Sequence, residues 1–211
     1  MVPANNTTME RELLAWVGQP STCHTLKIPR DEGLLTESTV PAYVARAKDL
    51  AQAFATPETD VVVYGCTAAG FLMGPEADVR LADELALITG KRVVTTASSM
   101  VRVLRDARAR NVAVVTPYPD EVNRRLTAFL ARSGIGVARL ASLGAADTQA
   151  LGRITSAQVS ALARETMADD CDALFIACSQ LPTHDIVPEL QRHFGRPVWS
   201  SIQATAFAVV H

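Results

Sequence analysis

Short apolar runs alternate with stretches of helical period along the whole chain. Runs rich in β-branched residues predict buried strands, and apolar positions three and four residues apart predict helices. The predicted strands are Val61–Tyr64, Arg92–Thr95, Val112–Val115, Gly136–Leu140, Ala173–Ala177 and Pro197–Ser200. The predicted helices are Met9–Trp16, Val40–Phe54, Pro75–Thr89, Ser98–Arg108, Pro119–Arg132, Ser156–Ala168 and His184–Phe194. This alternation is typical of an α/β protein with a parallel sheet covered by helices.

Two distant segments share one pattern. In each, an aspartate precedes an apolar strand, and a cysteine followed by a hydroxyl side chain comes after it. Asp60 leads to Cys66, and Asp172 leads to Cys178 over the same interval. Any two buried strands have some likeness, but the shared terminal cysteine favours a duplicated doubly wound unit. Ligands bind at the carboxyl ends of such strands, so two thiols are expected to face one cleft.

The comparison of the two halves also predicts that both ends of the chain are shortened. The second half opens with a complete strand at Asn111, whereas the first opens at Met1 with almost no strand before its loop. The last segment, Thr205–His211, begins a helix of only about two turns, which is marginal in isolation. We therefore expect a few residues to be missing at the front and more at the back.

Composition excludes several classes of function. The chain has 211 residues, nearly half of them apolar, which suits one large domain or two small ones. The net charge is −2 and no basic stripe is present, so nucleic acid is not an expected partner. No apolar run approaches the roughly 20 residues of a membrane helix, and the first residues lack the features of a signal peptide. We expect no membrane association and a cytoplasmic protein.

The four cysteines do not form a metal or disulfide pattern. None belongs to a CxxC pair, so zinc-ribbon and thioredoxin chemistry are not supported and no metal is expected. Cys23 and Cys171 have no repeated counterpart and are interpreted as incidental.

The loop after Cys66 is built from small residues, beginning with Thr67 and Ala68. Such residues let backbone N–H groups approach a ligand, and the start of a following helix favours an anion. The same surroundings are expected to lower the thiol pKa from about 8.5 toward neutrality. The alternative is a buried cysteine that only fills space.

The loop after Cys178 has fewer glycines, so we expect a smaller pKa shift there. The difference suits a division of work in which one thiolate attacks and one thiol gives or takes a proton.

Two further loops carry candidate ligand groups. Asn6, in a run of two amides and two hydroxyls, is either a helix cap or a donor to a ligand. Tyr118, between Pro117 and Pro119, occupies the equivalent place in the second half. Its phenol either donates to a carboxylate or covers the neighbouring helix.

Several of these segments together resemble one family. Pro3–Glu10, Tyr64–Thr67, Thr116–Tyr118, Cys178–Pro188 and Pro197–Ser201 are similar to the maleate cis-trans isomerases. Those enzymes belong to the aspartate/glutamate racemase superfamily, together with the arylmalonate decarboxylases. The resemblance covers essentially the whole chain in order.

The resemblance implies a fold of two pseudo-symmetric flavodoxin-like or Rossmann-like lobes. Each lobe is expected to be a parallel four-stranded sheet flanked by helices, with the active site in the cleft between them. We assign residues 1–96 to the first lobe and 97–200 to the second, with 201–211 completing the first. The family also implies no cofactor, a small dicarboxylate substrate and a homo-oligomer.

The resemblance further implies a reaction and roles for particular residues. The thiolate at Cys66 adds to one alkene carbon of maleate, rotation follows, and elimination releases fumarate. The thiol at Cys178 supplies and recovers a proton. The implied substrate-binding residues are Asn6, Thr67, Ala68, Tyr118 and Ser179.

One departure leaves the substrate open. The isomerases carry an asparagine in a loop where this chain has Thr148, next to Asp147. Racemisation of an amino acid or hydantoin would use the same two thiols but needs an acceptor for the substrate nitrogen, for which Asp147 is the loop candidate. Decarboxylation of an arylmalonate fits less well, because that branch has one such cysteine. A catalytically retired binding protein is the alternative from another class.

Overall fold

The computed structural model describes residues 1–31 and 33–211, in which strands and helices alternate. The strands are β1 (Val2–Pro3), β2 (Lys27–Ile28), β3 (Val61–Tyr64), β4 (Arg92–Thr95), β5 (Asn111–Thr116), β6 (Gly136–Ser142), β7 (Ala173–Ile176) and β8 (Val198–Ser200). The helices are α1 (Met9–Val17), α2 (Val40–Ala51), α3 (Thr67–Met73), α4 (Pro75–Thr89), α5 (Thr96–Asp106), α6 (Asp120–Arg132), α7 (Thr148–Gly152), α8 (Ser156–Thr166), α9 (Val187–Phe194) and α10 (Ser201–Val210). A 3₁₀ helix over Gln52–Phe54 follows α2. Within these residues, no helix combines the length and hydropathy that a membrane crossing requires.

The second half of the chain forms one sheet of four parallel strands in the order β6–β5–β7–β8. Strand β5 lies inside this sheet, and Val112–Val115 are fully buried. A continuous apolar run of this kind is typical of a parallel strand that is covered on both faces. The predicted α/β class is confirmed, and both cysteine-bearing strands have a parallel neighbour.

The first half of the chain contains two separate two-stranded parallel sheets, β1–β2 and β3–β4. Among the described residues, this half therefore does not form the single four-stranded sheet predicted for it. Strand β1 has only two residues, and Pro3 has no N–H to donate, so β1 supports a ladder on one side only. Two bonds still link it to β3: Met1 N donates to the Val63 carbonyl at 2.7 Å, and Gly65 N donates to the Met1 carbonyl at 2.8 Å.

Helix caps explain where several helices begin. Helix α5 begins at Thr96, two residues before its predicted start, because the Thr95 hydroxyl accepts from the Ser98 N–H. Helix α10 begins at Ser201, because the Ser200 hydroxyl accepts from the Gln203 N–H at 3.1 Å. The predicted start at Thr205 is therefore wrong by about one turn.

Four short elements have no clear signal in the sequence. Strands β1 and β2 have two residues each, helix α7 has five and helix α3 has seven. An apolar period needs a longer window than these elements offer. Three of them, β1, α3 and α7, contribute residues to the cavity described below, and β2 ends two residues before another.

Helix α10 packs against α1 and α5 and also touches β3, β4 and β8. A small apolar cluster joins it to the N-terminal segment; its members are Val2, Met9, Leu13, Ile202 and Ala206. The last helix thus contacts the first half of the chain. The division into residues 1–96 and 97–200 stays a prediction.

Candidate active site

The two cysteines of the duplicated pattern lie at equivalent places in the fold. Cys66 follows the last residue of β3 by two positions, and Cys178 follows the last residue of β7 by two positions. Both are buried, with 4% and 6% of their surface exposed. They line the same cavity, whose empty volume is about 460 Å³ when the space open to solvent is included.

All seven residues that the sequence singled out for the site line this cavity. They are Asn6, Cys66, Thr67, Ala68, Tyr118, Cys178 and Ser179. The other described residues that line it are Pro3, Asn5, Arg30, Leu34, Leu35, Leu151 and Gln180. Cys23 and Cys171, interpreted as incidental, lie outside this set.

Close packing fixes the turn that carries Cys66. A Cβ on Gly65 would lie 2.5 Å from Met9 Sδ and 2.8 Å from Val2 Cγ1, so a side chain does not fit there. Helix α3 begins directly after Cys66, at Thr67. The thiol therefore lies at the junction between β3 and α3. Val2 and Met9 of the N-terminal segment pack against the turn that carries it.

The backbone at Cys178 has an unusual conformation. Its φ is 156°, at the edge of the region that residues with a Cβ rarely adopt. The Ser201 hydroxyl accepts from the Cys178 N–H at 3.0 Å, and the Gln180 N–H donates to Cys178 Sγ at 3.4 Å. These contacts hold the thiol at the start of its loop.

Asn6 connects the N-terminal loop to the loop after Cys178. Its Nδ2 donates to the Ser179 carbonyl at 3.0 Å and to the Ser179 hydroxyl at 3.1 Å. Its Oδ1 accepts from the N–H groups of Thr8 and Met9, at the start of α1. Asn6 therefore does act as a cap, and its amide is directed across the cleft as well.

Two more contacts follow the same path across the cleft. Thr7 and Gln180 form a reciprocal pair: Thr7 N donates to Gln180 Oε1 at 2.9 Å, and Gln180 Nε2 donates to the Thr7 hydroxyl at 3.0 Å. The buried carboxylate of Glu12 accepts from the N–H and hydroxyl of Thr183 and from the N–H of His184. Helix α9 begins at Val187 rather than at the predicted His184.

The backbone of Tyr118 is fixed by polar side chains below the cavity. Its carbonyl oxygen accepts from Ser142 Oγ at 2.6 Å and from Asn123 Nδ2 at 2.9 Å. Its N–H donates to the Thr116 hydroxyl at 3.2 Å, and that hydroxyl donates to Asn123 Oδ1. The position of the tyrosine ring is therefore set by a closed network.

The hydroxyls of Tyr118 and Thr67 have no hydrogen-bond partner in the described part of the chain, although both are buried. Burial, followed by the neighbouring Cys178, raises the pKa of the Tyr118 phenol well above its usual value, so the phenol stays protonated. Buried polar groups are normally hydrogen-bonded. Two such groups beside two thiols form a site ready to donate to a ligand.

Burial changes the acidity of Cys66 in the direction opposite to the sequence-based expectation. Removal from water raises the pKa of the thiol, and this outweighs the N–H of Ala69, the phenol of Tyr43 and the charge of Arg30, all of which lower it. The expected fall toward neutrality is therefore wrong. The N–H of Ala69, in the first turn of α3, does lower the pKa as expected, but burial raises it by more.

Burial also raises the pKa of Cys178, to about 11, against the lowering effect of the Gln180 N–H and the Tyr118 phenol. The expected small shift at this thiol is wrong as well. A thiolate at Cys66 raises the pKa of Cys178 further. Two coupled thiols of this kind ionise one at a time, so a state with two thiolates is disfavoured.

Comparison with known proteins identifies the family. The family model of arylmalonate decarboxylase matches residues 33–211. The chain belongs to the arylmalonate decarboxylase family. This agrees with the resemblance drawn from the sequence, which placed the chain beside both the decarboxylases and the isomerases, and it confirms the expected class of enzyme.

Similar proteins come from both branches of this family. The maleate isomerase of Nocardia farcinica is 30% identical over 100% of this chain and 87% of its own length. The arylmalonate decarboxylase of Bordetella bronchiseptica is 30% identical over 82% of this chain and 72% of its own length. A cysteine-to-serine variant of the Nocardia farcinica isomerase, solved with a covalently bound succinylcysteine intermediate, has a TM-score of 0.91 and 27% identity. That match covers 99% of this chain and 89% of the other.

Sequence reasoning missed Arg30 as a residue of the site. It lines the cavity two residues after the end of β2 and is half-buried. Strand β2 is too short to be recognised from a pattern, so the position of Arg30 at a strand end was not visible. A lone arginine in a polar loop gives no other signal.

The residues at the expected amide position do not enter the cavity. Asp147 accepts from the Ala150 N–H at 2.7 Å and caps α7, which begins at Thr148. Helix α7 reaches the cavity through Leu151 instead. That side of the cavity is therefore apolar.

Proposed function

We propose that this protein is a cofactor-independent cis-trans isomerase that converts maleate, or a closely related cis-dicarboxylate, to fumarate through a covalent adduct on Cys66. One observation carries the proposal: a single cavity contains the thiols of Cys66 and Cys178 together with two buried hydroxyls that lack partners among the described residues. The succinylcysteine seen in a related isomerase supports the same chemistry.

The reaction begins with addition to the double bond. The Cys66 thiolate forms a C–S bond to one alkene carbon, and the π electrons move to the other carbon and its carboxylate. The Cys178 thiol then gives its proton to that carbon. The former double bond is now single, so rotation about it is fast where it was previously prohibitive.

The second half of the reaction reverses these steps after rotation. The Cys178 thiolate takes a proton from the same carbon, the double bond re-forms, and the C–S bond breaks. The products are fumarate and a thiolate at Cys66, so protons and electrons balance over the cycle. No external oxidant or co-reactant is needed.

The difference in surroundings supports the roles of the two thiols. Burial raises the pKa of Cys66, but a phenol, Tyr43, and a cation, Arg30, oppose this rise. Among the described residues, no cation is a leading influence on the pKa of Cys178, and a thiolate at Cys66 makes its ionisation still harder. Cys66 is therefore the better nucleophile and Cys178 the better proton donor.

Donors around the cavity support binding and activation of a carboxylate. The hydroxyls of Tyr118 and Thr67 are free to donate, and Thr67 and Ala68 lie in the first turn of α3. Charge develops on the carboxylate next to the carbanion, so fixed donors there stabilise the transition state. Asn6 and Ser179 complete the proposed site; a carboxylate that accepts from Asn6 Nδ2 replaces one of its bonds to Ser179.

The racemase alternative has less support than the sequence suggested. It needs an acceptor for a substrate ammonium or ring amide, and Asp147 was the loop candidate. The carboxylate of Asp147 caps α7, and the described residues that line the cavity include no aspartate or glutamate. The amide carbonyls present are weak partners for an ammonium ion in a site that also contains Arg30.

Proton NMR of maleate incubated with the protein tests the proposal. We expect the vinyl signal of maleate to be replaced by that of fumarate, and Cys66→Ser to abolish the change. An arylmalonate serves as the comparison substrate, because decarboxylation is the activity named for the other branch. Loss of its carboxylate, with maleate unchanged and the protein folded, would refute the isomerase assignment.

A second experiment separates the two thiols. In Cys178→Ser, addition to Cys66 continues but reversal is slowed, so we expect a peptide containing Cys66 to gain the mass of one maleic acid. Cys66→Ser is the matched control and should gain no mass at Cys178. An adduct on Cys178 instead would mean that Cys178 is the nucleophile and Cys66 the proton donor.

A further inference from the structure

Arg30 lies at the same edge of the fold as the two cysteines. It follows the last residue of β2 by two positions, as Cys66 follows β3 and Cys178 follows β7. All three side chains line the one cavity. The carboxyl ends of three strands, one from each parallel sheet, therefore contribute two thiols and one cation.

The guanidinium of Arg30 is held by neutral groups. Nη1 donates to Asn5 Oδ1 at 3.1 Å, and Nη2 donates to the Gly33 carbonyl. Nε is buried and has no acceptor among residues 1–31 and 33–211. Within the same residues, no carboxylate forms an ion pair with it, while its neighbour Asp31 pairs with Arg46. Within the described residues, the group is oriented and no anion matches its charge.

No other described residue that lines the cavity competes with Arg30 for an anionic ligand group. Among the described residues that line it, Arg30 alone carries a permanent charge. Leu34, Leu35 and Leu151 line the same cavity, so much of the wall around this charge is apolar. A half-buried cation in apolar surroundings favours an anionic ligand group.

A planar carboxylate suits these donors. Guanidinium groups bind carboxylates through parallel N–H···O bonds, which makes them stronger and more directional than neutral donors. The hydroxyls of Tyr118 and Thr67 serve one carboxylate of a cis-dicarboxylate. A second carboxylate then needs its own partner, and the amide expected near Thr148 is absent from the cavity wall.

We propose that Arg30 binds the second carboxylate of the substrate and thereby selects dianions over their monoamides; the proposal rests on the isomerase function proposed above. Asn5 acts as a positioning residue, because its side-chain oxygen orients the guanidinium. The substrate class is thus a four-carbon or similar cis-dianion rather than any activated alkene.

Steady-state kinetics with maleate and its monoamide test this selection. Arg30→Gln removes the charge at similar length, and Arg30→Lys keeps the charge but loses the planar fork. For Arg30→Gln we expect kcat/KM for maleate to fall on the order of 10- to 100-fold, as for loss of a charge-assisted bond. The monoamide should change much less, and Arg30→Lys should lie between. Arg132→Gln, an exposed arginine paired with Glu76, is the matched control.

The comparison of two substrates also removes an effect on the nucleophile. Loss of Arg30 removes a charge that favours the Cys66 thiolate, which slows every substrate equally. Only the ratio of the two kcat/KM values reports carboxylate binding. An unchanged ratio in Arg30→Gln overturns the proposal, provided that circular dichroism shows a folded variant.

A binding experiment keeps this test separate from the proposed reaction. Succinate and its monoamide cannot undergo addition, so their protection of Cys66 against iodoacetamide measures binding alone. We expect succinate to protect the wild type at lower concentration than the monoamide does, and this advantage to vanish in Arg30→Gln. Protection that needs Arg30, without fumarate formation from maleate, would retain the anion site and reject the isomerase. Fumarate formation with an Arg30→Gln variant that still prefers dianions, or no protection by succinate at all, would reject the role of Arg30.

Discussion

The hydroxyl of Ser179 donates to the carbonyl oxygen of Gly65 at 2.7 Å. Ser179 is the residue after Cys178, and Gly65 is the residue before Cys66. One hydrogen bond therefore ties together the two loops that carry the thiols. Asn6 extends this contact, because its Nδ2 donates to the same hydroxyl and to the Ser179 carbonyl. This buried network therefore fixes the two thiol-bearing loops relative to each other.

Replacement of Ser179 by alanine tests the network. Ser179→Ala leaves the Gly65 carbonyl without its donor and removes one acceptor from Asn6. We expect a loss of roughly 1–3 kcal/mol in the free energy of unfolding, the usual cost of an unsatisfied buried group. We also expect a fall in kcat, because the hydrogen bond that fixes the two thiol-bearing loops relative to each other is lost. Urea unfolding and initial rates with maleate measure the two effects.

Ser160→Ala is a suitable control for that experiment. Ser160 lies on α8, is half-buried and makes no side-chain hydrogen bond to another described residue. It should change neither quantity by much. Full activity in Ser179→Ala, with reduced stability, would mean that the contact supports the fold and not the arrangement of the thiols.

Much of this site is visible in local sequence, for a physical reason. Cys66 and Cys178 each end a buried apolar strand, and both strand positions follow from short runs of β-branched and apolar residues. Asp172, which opens the second copy of the pattern, accepts from the N–H groups of Arg110 and Asn111 and so helps to align β7 with β5. The repeated aspartate-to-cysteine interval thus has a structural origin in one half.

The parts that sequence reasoning missed depend on long-range contacts. Arg30 enters the cavity because Lys27 and Ile28 pair with Val2 and Pro3, and two-residue strands leave no period to detect. The pKa of Cys66 was predicted in the wrong direction because its neighbours in sequence favour a thiolate. The opposing burial comes from packing between distant elements, which a local motif does not contain.

The raised pKa of Cys66 predicts slow alkylation at neutral pH. Burial keeps this thiol protonated, and only the thiolate is nucleophilic. The rate of reaction with iodoacetamide should therefore rise with pH beyond the range of an ordinary thiol, whose pKa is 9.0. Peptide mass spectrometry resolves each cysteine, and the half-exposed Cys23 is an internal reference. Faster labelling of Cys66 than of Cys23 at neutral pH would contradict the burial argument.

The raised pKa of Cys178 predicts a loss of stability in alkaline solution. The folded state holds this proton up to about pH 11, whereas the unfolded thiol loses it near its ordinary value of 9.0. Stability from this group is therefore complete below pH 9.0 and is lost as the pH rises through about 11. The difference corresponds to about 2–3 kcal/mol. Urea unfolding across this pH range should show a shallower decline for Cys178→Ser. An identical decline in both proteins would assign the effect to other groups.

The hydroxyl of Tyr118 predicts opposite effects on stability and activity. It is buried without a partner in the described part of the chain, so Tyr118→Phe removes no hydrogen bond from the folded state. The phenyl ring keeps the edge contact with Phe71, whose ring centre lies 6.3 Å away. We expect the free energy of unfolding to stay the same or to rise by up to about 1 kcal/mol.

Activity should move the other way, because the proposed substrate carboxylate accepts from this phenol. A lost hydrogen bond to a charged group predicts a fall in kcat/KM on the order of 10- to 100-fold for Tyr118→Phe. Thr67→Val is the matched variant, since the Thr67 hydroxyl is also buried and without a described partner. Thermal unfolding and maleate kinetics on the two variants give both quantities. A variant that loses stability while its activity is unchanged would show that the hydroxyl serves the fold. A donor reserved for a ligand has the opposite effect, because it is left unpaired in the empty protein and costs free energy there instead of stabilising it.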